Sequence, residues 1–156
     1  MIDWDHNSSE YVDQVMGAFM FIRREIFTKI KHFDERFFVY FEDVDLSYRL
    51  NRIGGKVFYA SNIEIYHKGG GTSNQVIDKR LYYLLSSRLM YGKIHFTKIH
   101  FFVLQILTLF LEPLTRLLSL LIKKEISKSK QLLRSYMYLY LDIFFGKKLN
   151  ERPSIN

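Results

Sequence analysis

The first apolar cluster along the chain is a short unbroken run, VMGAFMFI (Val15–Ile22), bounded on both sides by polar residues. A run of this length predicts a buried strand. In RREIFTKI, Ile26, Phe27 and Ile30 recur at helical spacing and predict a short helix. KHFDERFFVYF is aromatic but aperiodic and predicts a loop or short strand. EDVDLSYRLNRIGG predicts a helix: its acids come first, its bases last, and Leu46, Leu50 and Ile53 form one apolar stripe. Asp45 and Arg49 stand four apart in the order that favours pairing, and Gly54–Gly55 stops the helix. KVFYA and IEIYH predict two short strands, and KGGGTSN a flexible loop.

The pattern then changes. Residues 79–98 predict a basic amphipathic helix that ends or breaks near Gly92. The strongly apolar Phe101–Leu111 follows, then Glu112–Pro113, then LTRLLSLLI to Ile122. The stretch approaches the roughly 20 residues of a bilayer span. Within it, however, Glu112 is costly in lipid. The expectation is two interfacial helices meeting at Pro113. Residues 126–145 give the cleanest helical pattern, with Leu132, Leu133, Tyr136, Met137, Tyr140, Leu141 and Phe144 as a broad apolar stripe. Lys128, Lys130 and Arg134 lie beside it, and Lys147–Lys148 follow.

Charge follows the same division. Residues 1–78 carry nine Lys/Arg against twelve Asp/Glu, whereas 79–156 carry fourteen against four. The net +7 of the chain thus belongs wholly to the second part and calls for an anionic partner there. Nucleic acid is not favoured, since no recognition motif is visible and the apolar content is high for a phosphate-binding face. An anionic membrane surface suits both the charge and the stripes. The expected organisation is therefore a mixed α/β part, 1–78, and a helical membrane-proximal tail, 79–156. Zero cysteines exclude a disulfide scaffold, thiolate zinc, iron–sulfur clusters and a cysteine nucleophile. The start, MIDWDHNSSEYVD, has neither the basic flank nor the apolar run of a secretory leader.

Two clusters in the first part can carry chemistry. Glu42, Asp43 and Asp45 open a helix directly after the aromatic run Phe37–Phe41. A carboxylate there can take a proton from a substrate hydroxyl. Equally, acids gather in first helical turns because of the helix dipole alone. His67 precedes Lys68 and Gly69–Gly71. An imidazole at a strand end can bind a divalent metal, and glycine backbone can approach phosphate, but an ordinary turn with a surface histidine has the same spelling.

Taken in order, the Gly-Ala run, the Arg-Arg-Glu helix, FDERFF, FEDVDLSYR, the glycine turn and YHKGGGTS resemble the C-terminal half of family 2 glycosyltransferase catalytic domains. The resemblance runs from Gly17 to Ser73 and is nearest to the rhamnosyltransferase-like branch with the GT-A fold. It implies a nucleotide-sugar donor, a saccharide or lipid-linked acceptor in cell-envelope polysaccharide synthesis, inversion at the sugar, and a divalent metal, Mg or Mn. Carried onto matching positions, Asp43 is the catalytic base and Glu42 binds the acceptor. Gly17 and Ala18 lie beside the acceptor, and His67 is a metal ligand. The resemblance further implies a nucleotide-binding half and a DxD motif ahead of the match. Asp3-Trp4-Asp5 has that spelling without the preceding strand, and we read it as coincidence. The expectation is thus a fragment whose parent works at the cytoplasmic face of the membrane. The missing N-terminal half is then a candidate partner. The competing expectation is a non-catalytic, membrane- or partner-binding remnant of a transferase.

Overall fold

The computed structural model describes residues 5–67 and 77–146. They form two packed units. The first holds 5–35 and 41–67, and the second holds 36–40 and 77–146.

In the first unit, β1 (Glu10–Val12) pairs antiparallel with β2 (Val57–Tyr59), in the register Glu10 to Tyr59, Tyr11 to Phe58 and Val12 to Val57. The Ser9 hydroxyl accepts the Ser61 amide hydrogen at 2.9 Å and extends the pairing by one step. Two helices complete the unit, α1 (Arg24–Lys29) and α2 (Glu42–Arg52). Both lie where helical spacing predicts them. Helix α2 carries its acids in the first turn and its bases in the last, and it ends before Gly54, whose φ of 77° suits glycine.

Two strand expectations fail here. Val15–Ile22 forms no strand and leaves Met16, Phe19 and Phe21 exposed. The segment Ile63–His67 is likewise extended but unpaired, with Tyr66 93% exposed. An apolar run becomes a strand only when another strand satisfies its amides, and no such neighbour exists among the described residues. The pairing that does form uses Glu10–Val12, too short and too polar to announce itself. The expected KGGGTSN loop lies outside the described residues, as do Asp3, Trp4 and Lys147–Lys148.

The unit has few buried side chains, so its order rests on polar ties. Asp45 is fully buried and accepts from Arg49 Nε at 2.8 Å. The same guanidinium donates to the Ile30 carbonyl and, at 2.8 Å, to the His32 carbonyl. Lys31 and His32 both adopt positive φ, 63° and 60°, where the chain reverses after α1. Arg49 thus clamps a strained turn onto α2. Asn51 Nδ2 donates to the Asp13 carbonyl at 3.0 Å and draws the segment before Gly17 toward the same helix.

The second unit is a three-helix arrangement: α3 (Ile77–His95), α4 (Lys98–Ile122) and α5 (Ser129–Phe145). Tyr82, Tyr83, Leu85, Leu89, Leu109, Leu132, Tyr136 and Leu139 make its core, with Val39 and Tyr40 packed against it. Ser87 donates to the Val39 carbonyl at 2.7 Å and fixes that segment. Tyr82 donates to Asp142 Oδ2 at 2.9 Å, joining α3 to α5. Burial, with the Asp142 carboxylate beside it, pushes the Tyr82 phenol well above its ordinary range.

Three details differ from the sequence expectations. Helix α3 runs through Gly92 without a break. A Cβ at Gly92 would lie 2.5 Å from Leu104 Cδ2 and 3.3 Å from Phe101 Cδ2, so this glycine marks close approach of α3 and α4. Second, α4 is one helix and not two. Leu107–Leu111 forms a π turn, and the Glu112 N–H reaches the Leu107 carbonyl across it. Pro113 has no N–H to offer the Leu109 carbonyl four residues back, and the Tyr140 hydroxyl donates to that carbonyl instead. The π turn and the tyrosine together let the helix pass its proline. Third, the broad stripe of α5 divides: Leu132 and Tyr136 face inward with Leu139, while Leu133, Met137 and Phe144 face out.

Candidate functional site

The acidic block lies at the start of α2. Immediately before it, Phe41 takes a left-handed conformation (φ 68°, ψ −6°), as does Tyr40 (φ 67°). Consecutive left-handed aromatic residues cost about 1–3 kcal/mol each and persist only where the surroundings hold them. They turn the chain sharply, so Glu42 and Asp43 occupy the first helical positions after a bend.

Asp43 Oδ2 accepts the Gly17 N–H at 2.8 Å, and its Oδ1 accepts the Val44 N–H at 2.8 Å. A carboxylate has about four acceptor positions, so two remain for a substrate hydroxyl. The Gly17 contact needs glycine: a Cβ there would stand 3.2 Å from Asp43 Cβ. The residues flanking Gly17 form a mostly apolar recess of about 460 Å³, lined by Gly17, Ala18, Phe19, Met20, Ile22 and the rings of Phe27 and Phe33. Gly17, Ala18 and Asp43 are therefore neighbours, although 26 residues separate Gly17 from Asp43 in the chain.

Glu42 behaves differently from Asp43. It is half-buried, and its Oε2 has no hydrogen-bond partner among the described residues. Burial raises its proton affinity above the ordinary carboxylate range. Its own backbone amide opposes this, and the Asp43 charge adds to it. Asp45, the third acid, faces away from this chemistry: its carboxylate is committed to Arg49.

His67 is exposed, and the described residues contain no group of three or more His, Asp and Glu side chains able to hold a metal ion. The divalent metal implied by the resemblance thus finds no ligand set here, and no step is routed through it. The recess beside Gly17, with Phe27 and Phe33 in its wall, was not legible in sequence. The aromatic enrichment was visible, but not which rings meet.

Comparison with known proteins agrees with this site. The sequence model of Glycosyltransferase like family 2 matches residues 4–82, just over half of the chain, and the chain belongs to that family. Among curated relatives, the N-acetylglucosaminyl-diphospho-decaprenol L-rhamnosyltransferase of Mycobacterium tuberculosis is 38% identical over 60 residues. That alignment covers 38% of this chain and 20% of the relative. Rhamnosyltransferase WbbL of Escherichia coli is 30% identical over 84 residues, covering 54% of this chain and 32% of the relative. The chain thus spans about a fifth to a third of these relatives. No solved structure matches it.

Proposed function

We propose that this chain is the C-terminal, acceptor-side part of a GT-A glycosyltransferase. The parent would move a sugar from a nucleotide-sugar donor to a saccharide or lipid-linked acceptor of the cell envelope. Asp43 is the base: it takes the proton of the acceptor hydroxyl as the oxygen attacks the anomeric carbon, and the configuration inverts as the nucleoside diphosphate leaves. A hydroxyl is a weak nucleophile and needs such a base within hydrogen-bond reach. Glu42 positions the acceptor, and Gly17 and Ala18 wall its site. His67 would supply at most one ligand to a divalent metal, with the others coming from beyond the described residues. The observation carrying this reading is the Gly17 amide held on Asp43 Oδ2, which orients the carboxylate beside an open recess and leaves it acceptor capacity.

We further propose that the helical unit rests on the cytoplasmic face of the membrane. Helix α4 is the one helix among the described residues long and apolar enough to cross a bilayer. Its inner face packs on α3 and α5, which carry Lys79, Arg80, Lys93, Lys130 and Arg134. A full span would draw those charges toward lipid at about 2.5–3.5 kcal/mol for each that reached the bilayer centre. Lying flat exposes only the apolar face to lipid, so the peripheral reading is favoured.

The test is a chimera in which the nucleotide-binding half of the Escherichia coli relative precedes this chain. Sugar transfer to a lipid-linked acceptor is expected from the chimera and absent from the 156-residue chain alone. Asp43→Asn should lower the chimera's kcat by about 10²–10⁴-fold. A folded chimera that binds donor but transfers nothing would support the non-catalytic remnant instead.

A further inference from the structure

We propose that a cleft on α4 binds the terminal phosphate of a membrane lipid. The cleft, about 320 Å³, is lined by Arg88, Leu104, Leu107, Thr108, Leu111, Glu112 and Thr115. The proposal rests on the reading that α4 faces a bilayer.

Charge is the first argument. Glu112 receives two guanidinium groups: Arg88 donates to Oε2, and Arg116 Nε donates to Oε1 at 2.9 Å. Two cations on one carboxylate leave an excess positive charge at the wall of a cleft. Arg88 Nη2 also donates to Thr108 Oγ1 at 2.9 Å. Its Nε is buried and has no acceptor among the described residues. Buried guanidinium donors are normally satisfied, so an orphan beside a cleft points to an acceptor that arrives from outside. A phosphate matches a guanidinium fork in geometry and in sign.

The second argument is the company this charge keeps. Leu107 and Leu111 line the cleft and also belong to an exposed apolar stripe that includes Ile99, Phe102, Phe110, Leu114, Leu118 and Ile122. The stripe follows α4 for about 36 Å. A free phosphate would use the arginine and ignore the leucines. A lipid uses both: its phosphate meets Arg88, and its chain leaves the cleft over Leu107 and Leu111 along the stripe. A terminal phosphate is favoured over a substituted headgroup because it presents three unesterified oxygens and needs no room for a substituent. It also carries about −1.5 to −2 charges at neutral pH.

The experiment uses the full chain in flotation with phosphatidylcholine vesicles containing phosphatidic acid, or phosphatidylglycerol adjusted to the same surface potential. Monomeric dioctanoyl phosphatidic acid is titrated in parallel, with and without inorganic phosphate as competitor. We expect about tenfold tighter binding to the phosphatidic acid vesicles, as one charge-assisted hydrogen bond supplies. The monomeric lipid should bind while inorganic phosphate fails to displace it. Arg88→Gln should erase the preference. Leu111→Trp, which fills the cleft from an exposed position, should erase it without loss of packing, whereas Leu114→Trp, on the stripe but outside the cleft, should keep it. Phosphatidylglycerol binding should be the same in all three variants. Equal binding to the two vesicle types, or a preference that survives both Arg88→Gln and Leu111→Trp, would overturn the site. Displacement by inorganic phosphate would overturn its lipid character. Binding of the monomeric lipid without binding to any vesicle would overturn the membrane reading and leave the cleft standing.

Discussion

Three acids within four positions at the start of α2 have three fates, and each fate follows from what its oxygens touch. Asp43 is oriented by the amides of Gly17 and Val44, yet open to substrate. Asp45 is closed off by Arg49. Substitution should separate them. Asp45→Ala strands the Arg49 guanidinium and frees the turn at Ile30–His32. Breaking a buried pair from one side costs about 3–5 kcal/mol, and partial exposure of Arg49 places the expected loss toward the lower end. A lowered melting temperature should show it. Asp43→Asn should leave the melting temperature nearly unchanged and remove transfer in the chimera. Glu42 has the opposite sign. Its folded-state proton affinity is raised, so the folded state loses stability as pH rises from the unfolded carboxylate value through the raised one. Glu42→Gln should therefore raise thermal stability at neutral pH, measured by thermal unfolding at pH 7, and the gain should shrink as the medium is acidified below the ordinary carboxylate range. No gain at pH 7 would mean that Glu42 has a partner that offsets its burial.

Among the elements, α4 carries the most unusual local structure. Its π turn, proline and Glu112 fall within seven residues, and each compensates another. The π turn accommodates Pro113, Tyr140 satisfies the carbonyl that the proline leaves, and Arg88 and Arg116 neutralise Glu112. Burial alone would raise the Glu112 carboxyl, but the hydrogen bonds and charges of Arg88 and Arg116 outweigh it and hold the group below its ordinary range. The stability it supplies is then complete above the unfolded carboxylate value, about 4.3, and is lost as pH falls through the lower folded value. Glu112→Gln should flatten that acid limb in unfolding experiments and destabilise the helical unit near neutrality. At Gly92, alanine gains about 1 kcal/mol of helix propensity and pushes Leu104. Gly92→Val loses most of that gain and adds bulk where the helices approach. The expected result is a destabilised valine variant, by about 1–3 kcal/mol, read from urea midpoints.

At the scale of the whole molecule, apolar exposure and positive charge coincide in the helical unit. Phe102, Phe110, Leu114 and Ile122 are each more than 60% exposed on α4, and Leu133 and Phe144 on α5. Stripes of this size mark a surface that is covered in use. Binding to anionic vesicles should have two parts: a charge contribution of about 1 kcal/mol per basic residue near the surface, screened by salt, and an apolar contribution that salt leaves intact. Raising the salt should weaken binding without abolishing it. Phe110→Glu with Leu114→Glu should abolish it at every salt concentration while leaving the helical circular dichroism unchanged, because neither side chain is in the core. Vesicle binding unaffected by that double substitution would assign the association to charge alone.

The period of the chain and the residue types at helix ends settled α1, α2 and α5, because helical hydrogen bonds are local and the signals that start and stop them are local too. The Asp45–Arg49 pair was legible for the same reason, being four residues apart on one helix. Strands were not legible: Val15–Ile22 has the right composition and no partner, while Glu10–Val12 has a partner and an unpromising composition. Pairing is a property of two segments, and neither carries it alone. Gly92 and Pro113 read as breaks because each weakens an isolated helix. In the bundle Leu104 packs against one, and the Tyr140 hydroxyl replaces the hydrogen bond the other forfeits. The acidic block itself was plain in the sequence, since its residues are adjacent. That Gly17 holds Asp43, and that Arg88 meets Glu112, depended on chain segments more than twenty residues apart folding onto each other, which only the tertiary structure decided.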